Sequence, residues 1–198
     1  VFIGDYVDGW SEAFGTIEYL IELSGIHNCI FIRGNHDELL RDFLKTGNAR
    51  ELWLAHGGES SRNSYAGRSG KDIRKHLEFL DALENFYVDD QQRLYVHAGF
   101  TNMHGPGHEY YPELVYWDRT LWEMVCSLDP AIPEDSKRYP KRLKHFKEIY
   151  IGHTPVSRIG RDWPVNFANV WNVDTAAAFK GRLSVLDAET KQLWQSDP

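Results

Sequence analysis

Two short apolar runs, "VFI" at residues 1–3 and "CIFI" at 29–32, bracket a stretch of helical period. This arrangement constrains the fold more than any other feature of the chain. Within residues 11–24 ("SEAFGTIEYLIELS") the apolar positions Phe14, Ile17, Leu20, Ile21 and Leu23 follow the spacing of one helix face, and Ser11 stands where an N-cap belongs. A strand, a helix and a second strand, with about 20 residues between the strands, make a βαβ unit, whose two strands run parallel. The chain is therefore expected to fold as an α/β (α+β) protein.

The remaining organisation follows from the same periods. Residues 37–55 read as a helix ending at Gly57-Gly58, and 71–85 as an amphipathic helix with Ile73, Leu77, Leu80 and Leu83 on one stripe. "RLYVHAGF" (93–100) and "EIYIGHTPV" (148–156) read as strands that stop at Gly99 and Gly152. Residues 169–195 alternate in the manner of β-hairpins, with Gly181 and "DAET" as turn signals. The segment 101–147 is long, irregular and rich in Pro, Tyr, His and Lys, with only 114–128 helical; such stretches commonly serve as lids or substrate loops. The 198 residues suit one catalytic domain, residues 1–198, with a substantial core.

Charge and cysteine content remove some classes of function. A net charge of −7 argues against a general nucleic-acid binder, which needs a basic face. It leaves phosphate substrates open, because bound divalent cations reverse the local field. Cys29 and Cys126 are too few and too far apart for a disulfide framework, which points to a reducing, cytoplasmic setting. No apolar run approaches a membrane span, so neither nucleic acid nor membrane is an expected partner.

Four strand ends carry the same kind of sequence: Gly4-Asp5, Gly34-Asn35-His36-Asp37, His97-Ala98-Gly99 and Gly152-His153-Thr154. One histidine at a strand end is ordinarily a hydrogen-bonded structural residue, and Asp or Asn there is ordinarily a turn former. Four together are different, because parallel strands deliver their carboxyl ends to one rim. Oxygen and imidazole donors without thiolates suit Mn²⁺, Fe or Zn²⁺.

In their order, "GDYVD", "RGNHD", "VHAG" and "GHTP" resemble the calcineurin-like metallophosphoesterases, and more narrowly the bacterial serine/threonine phosphoprotein phosphatases. The resemblance runs from residue 1 to about residue 190. It implies a four-layer αββα sandwich with mixed sheets and a pair of divalent ions, Mn²⁺ first, with Fe, Zn²⁺ or Ni²⁺ as alternatives. It implies hydrolysis of phosphoprotein or of small phosphate esters by a metal-bridging hydroxide. Position by position, Asp5 resembles the bridging aspartate, and Asn35, His97 and His153 resemble the other ligands of the second metal. His36 resembles the general acid, and Asp8 the carboxylate that orients it.

Departures from the family pattern are equally specific. Gly9-Trp10 stand where the family usually has a phosphate-gripping arginine, so that clamp is absent at this position. Arg119, in "LVYWDRTLW", resembles the other phosphate arginine, although alone it would read as a surface charge at a helix start. Asp37 replaces the usual Glu and is expected to affect supporting hydrogen bonds. Trp10 and Tyr65 are expected at the substrate, and the 53–65 stretch near it. Of Trp10, Trp53, Trp117 and Trp122, at least half are expected in the aromatic core. His56, in "AHGGES", mimics a ligand motif but follows a helical stretch, so the metal is assigned to His97. "GRSGKD" (67–72) lacks the spacing of a phosphate loop. His104, His108 and His145 read as solvated.

The family's first motif, a strand ending in Asp-x-His, has no counterpart ahead of Asp5. The resemblance therefore implies a further βα unit of at least ~30 residues in front of Val1, with tight binding of at most one metal and little activity by the chain as it stands. Two rival functions share these motifs: a symmetrical diadenosine tetraphosphate hydrolase, and a metal-free binding module of the same fold.

Overall fold

The computed structural model describes residues 1–197, in two compact units, Val1–Glu84 and the chain from Asn85 onward. In the first unit Phe2 and Phe31 form a parallel bridge, and Ile32 forms another with Glu84. The parallel pairing expected of the βαβ unit is present, but as single bridges. The reason is local. Phe2 and Ile32 exchange two backbone bonds with the neighbouring segment, Phe2 N to Ile30 O and Ile32 N to Phe2 O, both 2.9 Å. Gly4 (φ 84°) and Asp5 (φ 59°) then turn the chain out of the ladder.

Between the bridged segments lies α1 (Ala13–Ile26), which buries Ala13, Ile17 and Leu20. Ser11 does not cap it: its hydroxyl bonds to Glu12, and the N-cap residue is Glu12 without a side-chain cap. Helix α2 (Asn35–Thr46) is shorter than the sequence suggests, because Gly47 takes a left-handed conformation and its N–H closes onto Phe43 O. The chain then forms α3 (Glu51–Trp53), a π turn Leu54–Gly58 broken by a kink at His56 and Gly57, and α4 (Glu59–Ser64). Helix α5 (Gly70–Asp81) starts at Ser69, whose hydroxyl accepts the Asp72 N–H, so "GRSGKD" is a helix cap. Ile17, Leu40 and Leu80 are fully buried in this unit's core. Each contributes about 1.5–3 kcal/mol through apolar burial.

The second unit is built on a five-stranded sheet: β1 (Phe86–Val88), β2 (Arg93–Val96), β3 (Glu148–Ile151), β4 (Val165–Phe167) and β5 (Val170–Asn172), in the order β1-β2-β3-β5-β4. The three central strands are parallel and the two edges antiparallel, so the sheet is mixed. Leu94, Val96, Ile149, Ile151 and Val170 alternate onto one face, where α6 (Thr120–Ser127) packs through Leu121, Trp122 and Val125. Tyr95 and Tyr150 stack on the opposite face, 5.0 Å between ring centroids.

The stretch read as hairpins divides differently. β5 joins the parallel sheet beside β3 and turns back on β4, while β6 (Ser184–Leu186) and β7 (Leu193–Gln195) form the separate hairpin. Its turn is the "DAET" stretch, where Asp187 accepts the N–H groups of Glu189 and Thr190. Within 101–147 only α6 is α-helical, preceded by the 3-10 turn Pro112–Tyr116. No helix among the described residues is long and apolar enough to cross a membrane.

Candidate functional site

In the first unit the two loops that follow the bridged segments touch through backbone. A Cβ on Gly34 would lie 2.1 Å from Asp5 Oδ1 and 2.2 Å from Asp5 N, so only glycine permits the approach. Asp37, fully buried at the start of α2, stitches the loops together: its carboxylate accepts the N–H groups of Gly34 (2.8 Å), Asp5 (2.8 Å) and Tyr6 (2.9 Å). The His36 N–H in turn donates to Asp5 Oδ1 at 3.0 Å. Burial and the Asp5 charge push the Asp37 carboxyl up to about 7 against the pull of those N–H groups.

His36 Nδ1 lies 2.6 Å from Asp8 Oδ2. Burial depresses the imidazole pKa, but the Asp8 hydrogen bond and the charges of Asp5, Asp8 and Asp37 outweigh it, and the net shift is upward. Asp8 is itself buried and receives two further donors, Trp53 Nε1 at 2.7 Å and Ser61 Oγ at 2.5 Å. Asp5 (φ 59°) and Asp8 (φ 76°) both hold left-handed backbone, which costs about 1–3 kcal/mol each for a non-glycine residue and clusters at functional sites. Asn35, at the first position of α2, is buried and adjoins His36 in sequence.

In the second unit the parallel register of β2 and β3 carries two histidines to the same sheet edge. Tyr95 pairs with Tyr150, so His97 follows the end of one strand and Gly152-His153 the end of the next, tied by Gly152 N to His97 O at 2.7 Å. The His97 and His153 rings are 5.1 Å apart, centroid to centroid, and His153 is left-handed at φ 66°. Two imidazoles at adjacent strand ends fit a borderline cation such as Fe²⁺, Ni²⁺ or Zn²⁺.

Asp118 organises the neighbourhood of these histidines. Its buried carboxylate accepts the N–H groups of Thr120 (2.9 Å) and Leu121 (3.0 Å) and so begins α6. On either side of it, Trp117 sets its ring edge-on to His153 and Arg119 donates Nη1 to Thr154 Oγ1 at 3.0 Å. Fully buried Asn172 holds the same loop through the carbonyl of Thr154, 2.8 Å.

Several expected residues lie elsewhere. Tyr65 is buried in the core of the first unit, with its hydroxyl 2.8 Å from His76 Nδ1, and presents no surface to a substrate. Trp53 and Trp122 are core residues, whereas Trp10 and Trp117 are exposed. His56 is exposed, with Nδ1 2.8 Å from Leu52 O, on the π turn. His145 bonds through Nε2 to Met103 O. Sequence reasoning misses Ser61, Asp118 and Asn172 as organising residues and gives Trp53 no polar role. Of these only Asp118, two residues before the start of α6, carries a local signal.

Comparison with known proteins gives a consistent answer. The family model for calcineurin-like phosphoesterases matches residues 1–177. A bis(5'-nucleosyl)-tetraphosphatase PrpE [asymmetrical] of Bacillus cereus is 30% identical over 194 residues, covering 93% of this chain and 73% of that protein. Serine/threonine-protein phosphatase 1 of Salmonella typhimurium is 25% identical over 187 residues, covering 93% and 76%. Among solved structures, a Saccharomyces cerevisiae protein serine/threonine phosphatase with similarity to human PP5 aligns with a TM-score of 0.57 at 14% identity, covering 98% of this chain and 68% of that one. A metallophosphoesterase from Sphaerobacter thermophilus aligns with a TM-score of 0.51 at 13% identity, covering 98% and 76%.

Proposed function

The chain belongs to the calcineurin-like phosphoesterase family and is a phosphatase-type hydrolase, and from that premise we propose that it removes phosphate from phosphoproteins or small phosphate monoesters. The observation that carries this reading is the 2.6 Å bond between His36 Nδ1 and Asp8 Oδ2, one residue from the donor Asn35. Divalent ions, with Mn²⁺ as the proposed choice, would when bound supply a nucleophile from water at neutral pH and polarise the phosphoryl oxygens.

The chain's own residues do the rest. Asp5, Asn35, His97 and His153 are the proposed metal ligands. Asn35 contributes a carbonyl oxygen and no charge, which leaves the site positive for a dianion. With Nδ1 committed to Asp8, the imidazole of His36 has Nε2 for the proton that the leaving oxygen needs. Arg119, braced on Thr154, is the proposed phosphate clamp. Exposed Trp10 is proposed as a substrate contact. A cytoplasmic location, a bacterial source, and a lack of nucleic-acid or membrane partners belong to the same proposal.

A second reading has support in the relatives' names: several are asymmetrical bis(5'-nucleosyl)-tetraphosphatases, which makes a dinucleoside polyphosphate an alternative substrate, as does the rival symmetrical hydrolase that shares the motifs. Turnover of a phosphoserine peptide and of diadenosine tetraphosphate, each with Mn²⁺ and with a chelator, separates these. Higher kcat/KM on the peptide supports the monoesterase reading. Higher kcat/KM on the dinucleotide favours the second, and metal-independent rates on both contradict the two together.

A further inference from the structure

We infer that Trp53 and Ser61 are positioning residues for the proton transfer, fixing the Asp8 carboxylate and through it the tautomer of His36. This inference rests on the proposed role of His36 as the donor to the leaving oxygen.

With Asp8 as a carboxylate acceptor, the hydrogen bonds around it leave one arrangement of protons. Ser61 Oγ accepts the Asp8 backbone N–H at 3.0 Å, so its single proton goes to Asp8 Oδ1, 2.5 Å away. Asp8 Oδ2 faces Trp53 Nε1 at 2.7 Å, and an indole nitrogen is a donor only. An oxygen that accepts from Trp53 and meets His36 Nδ1 at 2.6 Å acts as a carboxylate acceptor for both, which places a proton on Nδ1. Nε2 is then the ring atom that exchanges its proton. Both oxygens of a buried carboxylate are held by donors, and in a low-dielectric setting such bonds resist rotation strongly.

The local fold is shaped around these two side chains. Trp53 ends α3 and Ser61 lies in α4, with the kinked π turn between them. A Cβ on Gly58 would lie 2.3 Å from Trp53 Cε2, so glycine there leaves room for the indole. Phe43 packs against the same ring at 5.3 Å, and both Trp53 and Ser61 are buried. Neither offers a surface to a substrate. Their polar atoms are spent on Asp8.

The test compares Trp53→Phe, which keeps a ring and loses the N–H, and Ser61→Ala with wild type and His36→Asn. Each is assayed with Mn²⁺ on phosphoserine, whose alkoxide leaves poorly, and on a nitrophenyl phosphate, whose oxygen needs little protonation. The His36 Nδ1 proton is followed by NMR in wild type and the two positioning variants. His36→Asn loses about 10²–10⁴-fold in kcat on phosphoserine and less on the aryl ester. Trp53→Phe and Ser61→Ala lose about 10–100-fold on phosphoserine, by analogy with groups that orient metal-bound histidines, less on the aryl ester, with KM little changed and the Nδ1 resonance shifted. If His36→Asn discriminates between the esters but neither variant does, and the resonance stays in place, the inference alone is overturned. Equal losses by His36→Asn on both esters overturn the general-acid reading, and the positioning role with it. Should Trp53→Phe fail to fold, Ser61→Ala and its resonance decide.

Discussion

Asp37 Oδ2 accepts the backbone N–H of Asp5 at 2.8 Å, so a residue in α2 fixes the position of a candidate metal ligand more than thirty positions earlier in the chain. The same carboxylate holds Gly34 and Tyr6, so three N–H groups depend on two oxygens. Asp37→Asn leaves the Tyr6 N–H opposite an amide NH₂ and without an acceptor. We expect a loss of about 1–3 kcal/mol in unfolding free energy, measured by urea denaturation. Unchanged stability would show that the loops are held in some other way.

His76 gives the first unit a dependence on pH that is separate from the candidate site. It is fully buried, with Nδ1 2.8 Å from the Tyr65 hydroxyl and Nε2 2.7 Å from Glu18 Oε1. Burial lowers its pKa below the usual 6.5, against the hydrogen bond and charge of Glu18, with Lys75 and Asp72 as the other charges nearby. The unfolded chain therefore takes up a proton that the folded unit refuses. This contribution to stability is whole above the usual histidine value and is lost as pH falls from there through the folded value. The melting temperature is expected to drop between about pH 7 and pH 5, and His76→Gln to flatten that slope. An equal slope in the variant would assign the effect to other groups.

Arg119 reaches Thr154 from the start of α6, a geometry suited to presenting the guanidinium beside the histidine-bearing loop. Arg119→Ala is expected to raise KM for phosphate esters about 10–100-fold, the equivalent of one charge-assisted hydrogen bond. Thr154→Val, which removes only the brace, should raise it less. Steady-state kinetics on one ester checks both, and an unchanged KM for Arg119→Ala would remove the residue from phosphate binding.

The sequence made the parallel arrangement and the candidate donors legible because both are local patterns. Apolar runs ending in Gly-Asp, Gly-Asn-His or Gly-His mark strand ends, and the structure puts His97 and His153 at one sheet edge through the Tyr95–Tyr150 register. Element lengths were less legible. Left-handed Gly47 ends α2 inside a stretch whose apolar period continues, and Gly4-Asp5 reduce an expected strand to one bridge. Trp53 and Ser61 could not be found this way, since they meet Asp8 across 45 and 53 positions of chain. Tyr65 was misplaced for the same reason: the partner that draws it into the core, His76, lies on another helix.

The proposed site depends most directly on which histidines hold metal. Calorimetric titration of Mn²⁺ into the wild-type chain, His97→Ala, His153→Ala and His56→Ala measures this without reference to substrate or turnover. The wild type and His56→Ala are expected to bind alike, while His97→Ala and His153→Ala lose tight binding. Loss of binding in His56→Ala with retention in His97→Ala would contradict the proposed ligand set.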